Sequence, residues 1–257
     1  MINDKNIILV VGDLGSGVNL LKNMLMLWSE IDWQFPNESD RFNYIVQRAY
    51  PTSLKNNLDN WMQAEGSLRN WGTAYGVTIE DFYADIATDQ VISTTQTKKV
   101  LFLTHSVDAA LRLKQQYPGI QLVSLYADNA DSTKWQVDAY INKRTIEKVQ
   151  NFSFPADVDT EKQRYIEEHG VENYYKFNIL NMYEIINRRS IDYKNLPGIA
   201  VPISNLLTTD YTWIDNLIKE LNSSIDVSQA TDLIKKWQDL HELTISNISN
   251  PWFELIN

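Results

Sequence analysis

Three glycines follow an apolar run near the start of the sequence, and the backbone around them could bind an anion. Gly12 and Gly17 enclose four residues, the spacing of the phosphate loop G-x-x-x-x-G-K-[ST]. Together with Gly15 they would let backbone amides curl around an anion, and a helix beginning near Gly17 would add its positive dipole end. The sequence predicts a phosphate site here; the alternative is a tight strand-to-helix turn without a ligand.

The two residues after the loop indicate which phosphate chemistry it can serve. Val18 and Asn19 stand where a nucleoside triphosphatase has its Lys and its Ser or Thr. In that class the Lys binds the β- and γ-phosphates and the hydroxyl binds Mg²⁺. Because neither residue can do this, the sequence argues against ATP or GTP hydrolysis. Dinucleotide binding is also disfavoured, since G-S-G-V-N-L lacks the third glycine of that fingerprint.

The elements that position this loop alternate between apolar strands and amphipathic helices. We predict strands over 6–11, 98–105, 120–126 and 198–203, the last at a sheet edge or ending at Pro202. We predict helices over 17–28, 107–117, 132–149, 210–221 and 228–246, with two helical stretches within 160–190. Ser106 can cap the helix over 107–117. Residues 29–90 show helical pieces and no second strong strand, so we expect one domain over 1–257 with a helical insertion there.

Strands separated by helical crossovers predict the fold class. We expect an α/β protein with a parallel sheet of four or five strands, helices on both faces, and a P-loop nucleotide-binding architecture. Ligands of such sheets bind at the carboxyl ends of the strands. The glycine loop, His105 and Asp128 all fall at predicted strand ends.

Composition excludes several function classes. The 257 residues carry a net charge of -10, which argues against a broad nucleic-acid-binding face. Without cysteine there are no disulfides, thiolate zinc sites or cysteine nucleophiles. The three histidines do not cluster with other ligands at metal spacing, so we predict no metal site. The sequence shows neither a signal peptide nor a membrane span, so we expect a cytoplasmic protein. Its degenerate motifs are typical of a viral or other fast-diverging gene.

The order of the motifs resembles the PAPS-dependent sulfotransferases, PAPS being 3′-phosphoadenosine 5′-phosphosulfate. That family has a magnesium-free phosphate loop P-[KR]-S-G-T-[TS], then a strand ending in K-T-H and another ending in R-D-P. The motifs align in this sequence with Leu14-Gly15-Ser16-Gly17-Val18-Asn19, Leu103-Thr104-His105 and Ala127-Asp128-Asn129. The resemblance spans most of the chain in order and spacing.

This resemblance implies transfer of a sulfonate from PAPS to a hydroxyl or amine of a small-molecule or glycan acceptor. His105 would be the general base that takes the acceptor's proton, a role suited to a pKa near neutrality. The alternative for His105 is a polar residue that ends a strand and caps the next helix. The donor would be bound by Gly12, Gly15, Ser16, Gly17, Val18, Asn19 and Asp128.

The chain departs from the family pattern at three positions. Gly15 stands where the family has a basic residue that neutralises charge on the leaving oxygen. Ala127 and Trp135 stand where the family's Arg and Ser hold the 3′-phosphate. Asp13 also adds a negative charge beside any bound anion.

An active protein would therefore need a cation from elsewhere. The candidates are Lys22, Lys134 and the pair Arg188-Arg189, each of which could instead be a solvated surface side chain. We predict Lys134 as the catalytic cation, because it lies just beyond the third strand. Two other functions stay open: a non-catalytic binding or structural protein that retains the fold, and a phosphotransferase with an atypical loop.

Overall fold

The computed structural model describes residues 1–13, 15–31, 89–137, 164 and 167–245. The insertion predicted over 29–90 lies almost wholly outside these residues, as do residues 138–149 of the helix predicted over 132–149. The single-domain organisation therefore stays a prediction.

The centre of the fold is a parallel sheet of four strands, which confirms the predicted class. The strands are β1 (Ile7–Gly12), β2 (Val100–Thr104), β3 (Gln121–Tyr126) and β4 (Ile199–Pro202), in the order β2-β1-β3-β4. All three pairings are parallel. The edge position predicted from Pro202 is confirmed within this sheet, and the proline also ends the strand.

Seven helices with described bounds surround the sheet. They are α1 (Val18–Leu25), α2 (Asp89–Thr94), α3 (Val107–Gln116), α4 (Val171–Lys194), α5 (Ile203–Leu207), α6 (Thr212–Glu220) and α7 (Val227–Ile245). Residues 130–137 are also helical and are called the 130–137 helix below. No helix in the described part of the chain is both long and apolar enough to cross a membrane.

Several helix ends follow local signals in the sequence. Ser106 caps α3 as predicted, its Oγ accepting a hydrogen bond from the amide of Ala109 at 3.2 Å. Gly170 has a φ of 83° and separates helical residues 167–169 from α4, so the two predicted stretches are present. The prediction for α1 was too long, because the helix ends at Leu25 rather than Trp28. Sequence patterns did not indicate α5.

Helices cover both faces of the sheet, as predicted. Successive side chains of β1 alternate between two apolar clusters, because strand residues point to opposite faces. Ile8 and Val10 pack in the cluster with α1, α5, α6 and α7, whereas Leu9 packs in the cluster with α3 and the end of α4. Burial on both faces explains why β1 reads as a continuous apolar run. The sheet is thus a rigid platform whose carboxyl edge carries the candidate site.

Candidate functional site

The glycine loop makes a tight turn between β1 and α1. Gly17 caps α1 with a φ of 83° and Gly15 has a φ of 76°, values that side chains with a Cβ rarely adopt. The amide of Ser16 donates to the Asp13 carbonyl at 3.2 Å, which closes the turn. Gly12 lets the Ser16 side chain pack closely against the end of β1, since an added Cβ would lie 2.9 Å from Ser16 Oγ.

The Ser16 hydroxyl is the strongest sign that the loop holds a ligand. Its residue is only 1% exposed, and Oγ has no hydrogen-bond partner among the described residues. A buried hydroxyl without a partner costs about 1–3 kcal/mol, so such groups require an explanation. The amides of Val18 and Asn19 belong to the first turn of α1, where backbone N–H groups have no acceptor within the helix. The loop thus presents a hydroxyl and amides at the positive end of α1.

His105 lies directly beside this loop. Its Nδ1 is 2.5 Å from the carbonyl oxygen of Gly12. Because a carbonyl can only accept, Nδ1 carries the proton, and in the neutral ring Nε2 keeps its lone pair. Tyr193 fixes the backbone of the same residue by donating from its hydroxyl to the His105 carbonyl at 2.7 Å. The tautomer is the one that a general base acting through Nε2 requires.

Helix α4 crosses the carboxyl ends of three strands and contacts each of them. Arg189 reaches Asp13 after β1, with Nη1 3.3 Å and 3.4 Å from the two carboxylate oxygens. Ser190 Oγ accepts from the amide of Ala127, after β3, at 3.2 Å. Tyr193 reaches His105, after β2, as described above. The site therefore has a wall, supplied by one helix, that sequence reasoning missed apart from Arg189.

A spacing in the sequence could have indicated this wall. Residues 186, 189 and 193, like 187 and 190, are three or four apart and so lie on neighbouring parts of one helix surface. That spacing identifies a surface, but it cannot tell which element the surface meets.

The electrostatics of the wall follow from burial. The side chain of Asp13 is 12% exposed, whereas that of Arg189 is 58% exposed. Burial raises the pKa of Tyr193, and the nearby charge of Asp13 raises it further. The phenol is therefore protonated near neutral pH and donates steadily to the His105 carbonyl.

Asp128, predicted to bind the donor, makes structural hydrogen bonds. Its Oδ1 accepts from the Ser204 amide at 3.1 Å and its Oδ2 from the Ser204 hydroxyl at 2.7 Å. Oδ2 also accepts from Asn129 Nδ2 at 3.1 Å. These bonds connect the end of β3 to the first turn of α5. Its predicted role in donor binding stays a prediction.

The candidate cations occupy different surroundings. Lys22 is buried on α1, Lys134 is half-buried on the 130–137 helix, and Arg188 is exposed on α4. Arg189 contacts Asp13, which directly follows β1, with Nη1 3.3 Å from Oδ1. The catalytic role predicted for Lys134 is not tested by these positions.

The two positions that depart from the family's 3′-phosphate pattern are packing positions. Ala127 and Trp135 are both buried in the apolar cluster beneath the loop. The Trp135 ring meets the Trp237 ring edge to face, with centroids 5.7 Å apart. An added Cβ at Gly17 would lie 3.5 Å from the Trp135 ring, so this indole packs under the loop.

Two further sequence predictions concern ligands. The backbone of Asn19 belongs to the first turn of α1, but its side chain lies outside the described part of the structure. Among the described residues, no three His, Asp or Glu side chains are grouped so as to hold a metal ion.

Comparisons with known proteins give a likeness of fold. The sequence matches no protein-family model and no curated protein. A sulfotransferase from Alicyclobacillus acidocaldarius has a similar structure, with a TM-score of 0.45 and 12% identity over 96% of this chain and 98% of that chain. A likeness of this degree assigns neither a reaction nor any site residue.

Proposed function

We propose that this chain transfers a sulfonate group from PAPS to a hydroxyl or amine acceptor without a metal ion. The observation that carries the proposal is the buried Ser16 hydroxyl, which has no hydrogen-bond partner among the described residues. It lies in a glycine loop that lacks the Lys and Ser/Thr of triphosphatases. A loop built for a phosphosulfate needs neither residue, because no magnesium ion is bound there. The resemblance of the three motifs to the sulfotransferases supports the same donor.

The residues around the loop have complementary roles in this reaction. Ser16 and the loop amides hold the 5′-phosphosulfate, and His105 takes the proton of the acceptor at Nε2. The bond from sulfur to the bridging phosphate oxygen breaks, and a bond from sulfur to the acceptor oxygen or nitrogen forms. Lys134 is the proposed cation for the charge that grows on the leaving oxygen.

A specific observation favours the rival, a non-catalytic binding protein. Ala127 and Trp135 are buried apolar packing positions, so they offer nothing to the 3′-phosphate of PAPS. Asp13 adds a carboxylate at the mouth of the loop. A protein with these features could keep an anion-binding loop after losing the transfer reaction.

Calorimetry separates these functions. Adenosine 3′,5′-bisphosphate should bind wild type equally well with and without a chelator. Ser16→Ala should weaken binding about tenfold, the size of one lost hydrogen bond to a charged group. Because Ser16 Oγ has no described partner, Ser16→Ala should not lower the free energy of unfolding. Ser124→Ala, at a buried serine inside β3, is the matched control and should leave affinity unchanged.

Three other results would contradict the proposal. Binding of the bisphosphate without any transfer of labelled sulfonate to a panel of acceptors would favour the non-catalytic protein. Tight ATP binding that a chelator abolishes would favour the phosphotransferase. Equal affinity in wild type and Ser16→Ala would show that the loop is not the site.

A further inference from the structure

Asp13 presents a problem for any anion site in this loop. It directly follows β1, its side chain is 12% exposed, and its carbonyl closes the turn by accepting from Ser16. A carboxylate held this close to the loop repels a bound phosphate, and burial weakens the screening by water. An uncompensated charge here would weaken anion binding by about tenfold or more.

Arg189 forms an ion pair with this carboxylate. One guanidinium nitrogen lies 3.3 Å and 3.4 Å from the two oxygens of Asp13, so it faces both of them. The side chain of Arg189 is 58% exposed, whereas that of Asp13 is 12% exposed. The described contact of Arg189 is therefore with Asp13 and not with the amides of the loop.

The position of Arg189 is held by its own helix. Ser190 accepts from the amide of Ala127 and Tyr193 donates to the carbonyl of His105, so α4 is tied to two strand ends on either side of the loop. These ties fix the backbone of Arg189 near Asp13, so only the side-chain torsions must still be ordered for the ion pair to form.

We infer that Arg189 is a positioning residue that cancels the charge of Asp13 and thereby sets the affinity of the loop for an anion. The inference rests on the proposed function for the identity of that anion, a nucleotide phosphosulfate. The charge argument itself applies to any anion of the pyrophosphate type.

A double-mutant cycle tests this role with two probes, inorganic pyrophosphate and adenosine 3′,5′-bisphosphate, titrated at low salt. Arg189→Met should weaken pyrophosphate binding about tenfold or more, and Asp13→Asn should bind at least as tightly as wild type. The double variant should return to within about threefold of Asp13→Asn, because the charge to be compensated is gone. Arg189→Lys should retain most of the affinity.

Arg188→Met is the matched control, since it removes the same charge from the adjacent, exposed position of α4. Its affinity should equal that of wild type. Thermal unfolding checks that every variant folds. If Arg189→Met does not fold, the affinities of Asp13→Asn and Arg189→Lys still test whether these two charges control anion binding.

The two proposals fail in distinguishable ways. If the double variant binds as weakly as Arg189→Met, Arg189 contacts the anion directly and the inference is wrong. An equal loss in Arg188→Met, or no pyrophosphate binding by wild type, would also overturn it. If pyrophosphate follows the expected pattern while the bisphosphate binds no variant, the inference stands and PAPS is the wrong donor.

Discussion

Replacing Gly17 with alanine tests whether the backbone of the loop is the binding element. Gly17 caps α1 with a φ of 83°, a conformation that costs an L residue about 1–2 kcal/mol. The new Cβ would lie 2.8 Å from Leu206 Cδ1, so that side chain must move. Leu206 is fully buried, and displacing it costs about 1 kcal/mol more. We expect a loss of about 2–3 kcal/mol in the free energy of unfolding.

The same change should affect the ligand more specifically than the fold. Relief of the strain rotates the peptide groups on either side of residue 17, and the amides that face the anion lose their direction. We expect pyrophosphate affinity, measured by calorimetry well below the unfolding temperature, to fall about tenfold or more, the size of one lost charge-assisted hydrogen bond.

Gly170→Ala is the matched control for this experiment. Gly170 also has a φ of 83°, and its ψ of 153° is even less accessible to L residues than the ψ of 11° at Gly17. An added Cβ at Gly170 would meet nothing within 4 Å. It precedes α4 and lies far from the loop in the sequence, so it should carry the backbone strain without a loss of affinity. Unchanged affinity in Gly17→Ala, or an equal loss in Gly170→Ala, would refute the assignment of the loop as the site.

Two further predictions concern the wall and the helix caps. Tyr193→Phe should lower stability at pH 7 by about 1 kcal/mol, through the lost hydrogen bond to the His105 carbonyl. Because the pKa of Tyr193 is raised in the fold, its protonated form stabilises the protein below the unfolded-state pKa of about 10, and this contribution is lost as pH rises above that value. Urea titrations should therefore show a smaller alkaline loss in Tyr193→Phe than in wild type; identical slopes would contradict the raised pKa. Ser106→Ala should cost about 1 kcal/mol through loss of the α3 cap, and Ser106→Asp, which can still cap, should recover most of it in the same titrations.

Local patterns in the sequence determined much of the fold. The continuous aliphatic run of β1 predicted a strand buried on both faces, because a strand in the middle of a parallel sheet has no solvent-facing side. Ser106 predicted a helix start through its capping hydroxyl, and Pro202 predicted an edge through its missing amide. Each signal acts over a few residues, so it can be recognised without the rest of the chain.

The composition of the site was only partly visible in the sequence. Gly12, Ser16 and Gly17 were predicted together because they are neighbours, and His105 because strand ends share one edge of a parallel sheet. The hydrogen bond between His105 and the Gly12 carbonyl depends on the register of β1 and β2, in which Val11 pairs with Thr104. A strand pattern alone does not define that register.

The tertiary structure alone decided which helix closes the site. Arg189 and Asp13 are 176 positions apart, and Tyr193 and His105 are 88 apart. Sequence spacing shows that 189 and 193 share a helix surface, but the direction of that surface depends on how α4 packs against the whole sheet. Strand-end position favoured Lys134 as the catalytic cation, and that role stays a prediction. Only packing showed that Arg189 lies beside Asp13. A helix's rotation and crossing point are set by the sum of many non-local contacts, and a single sequence does not display them.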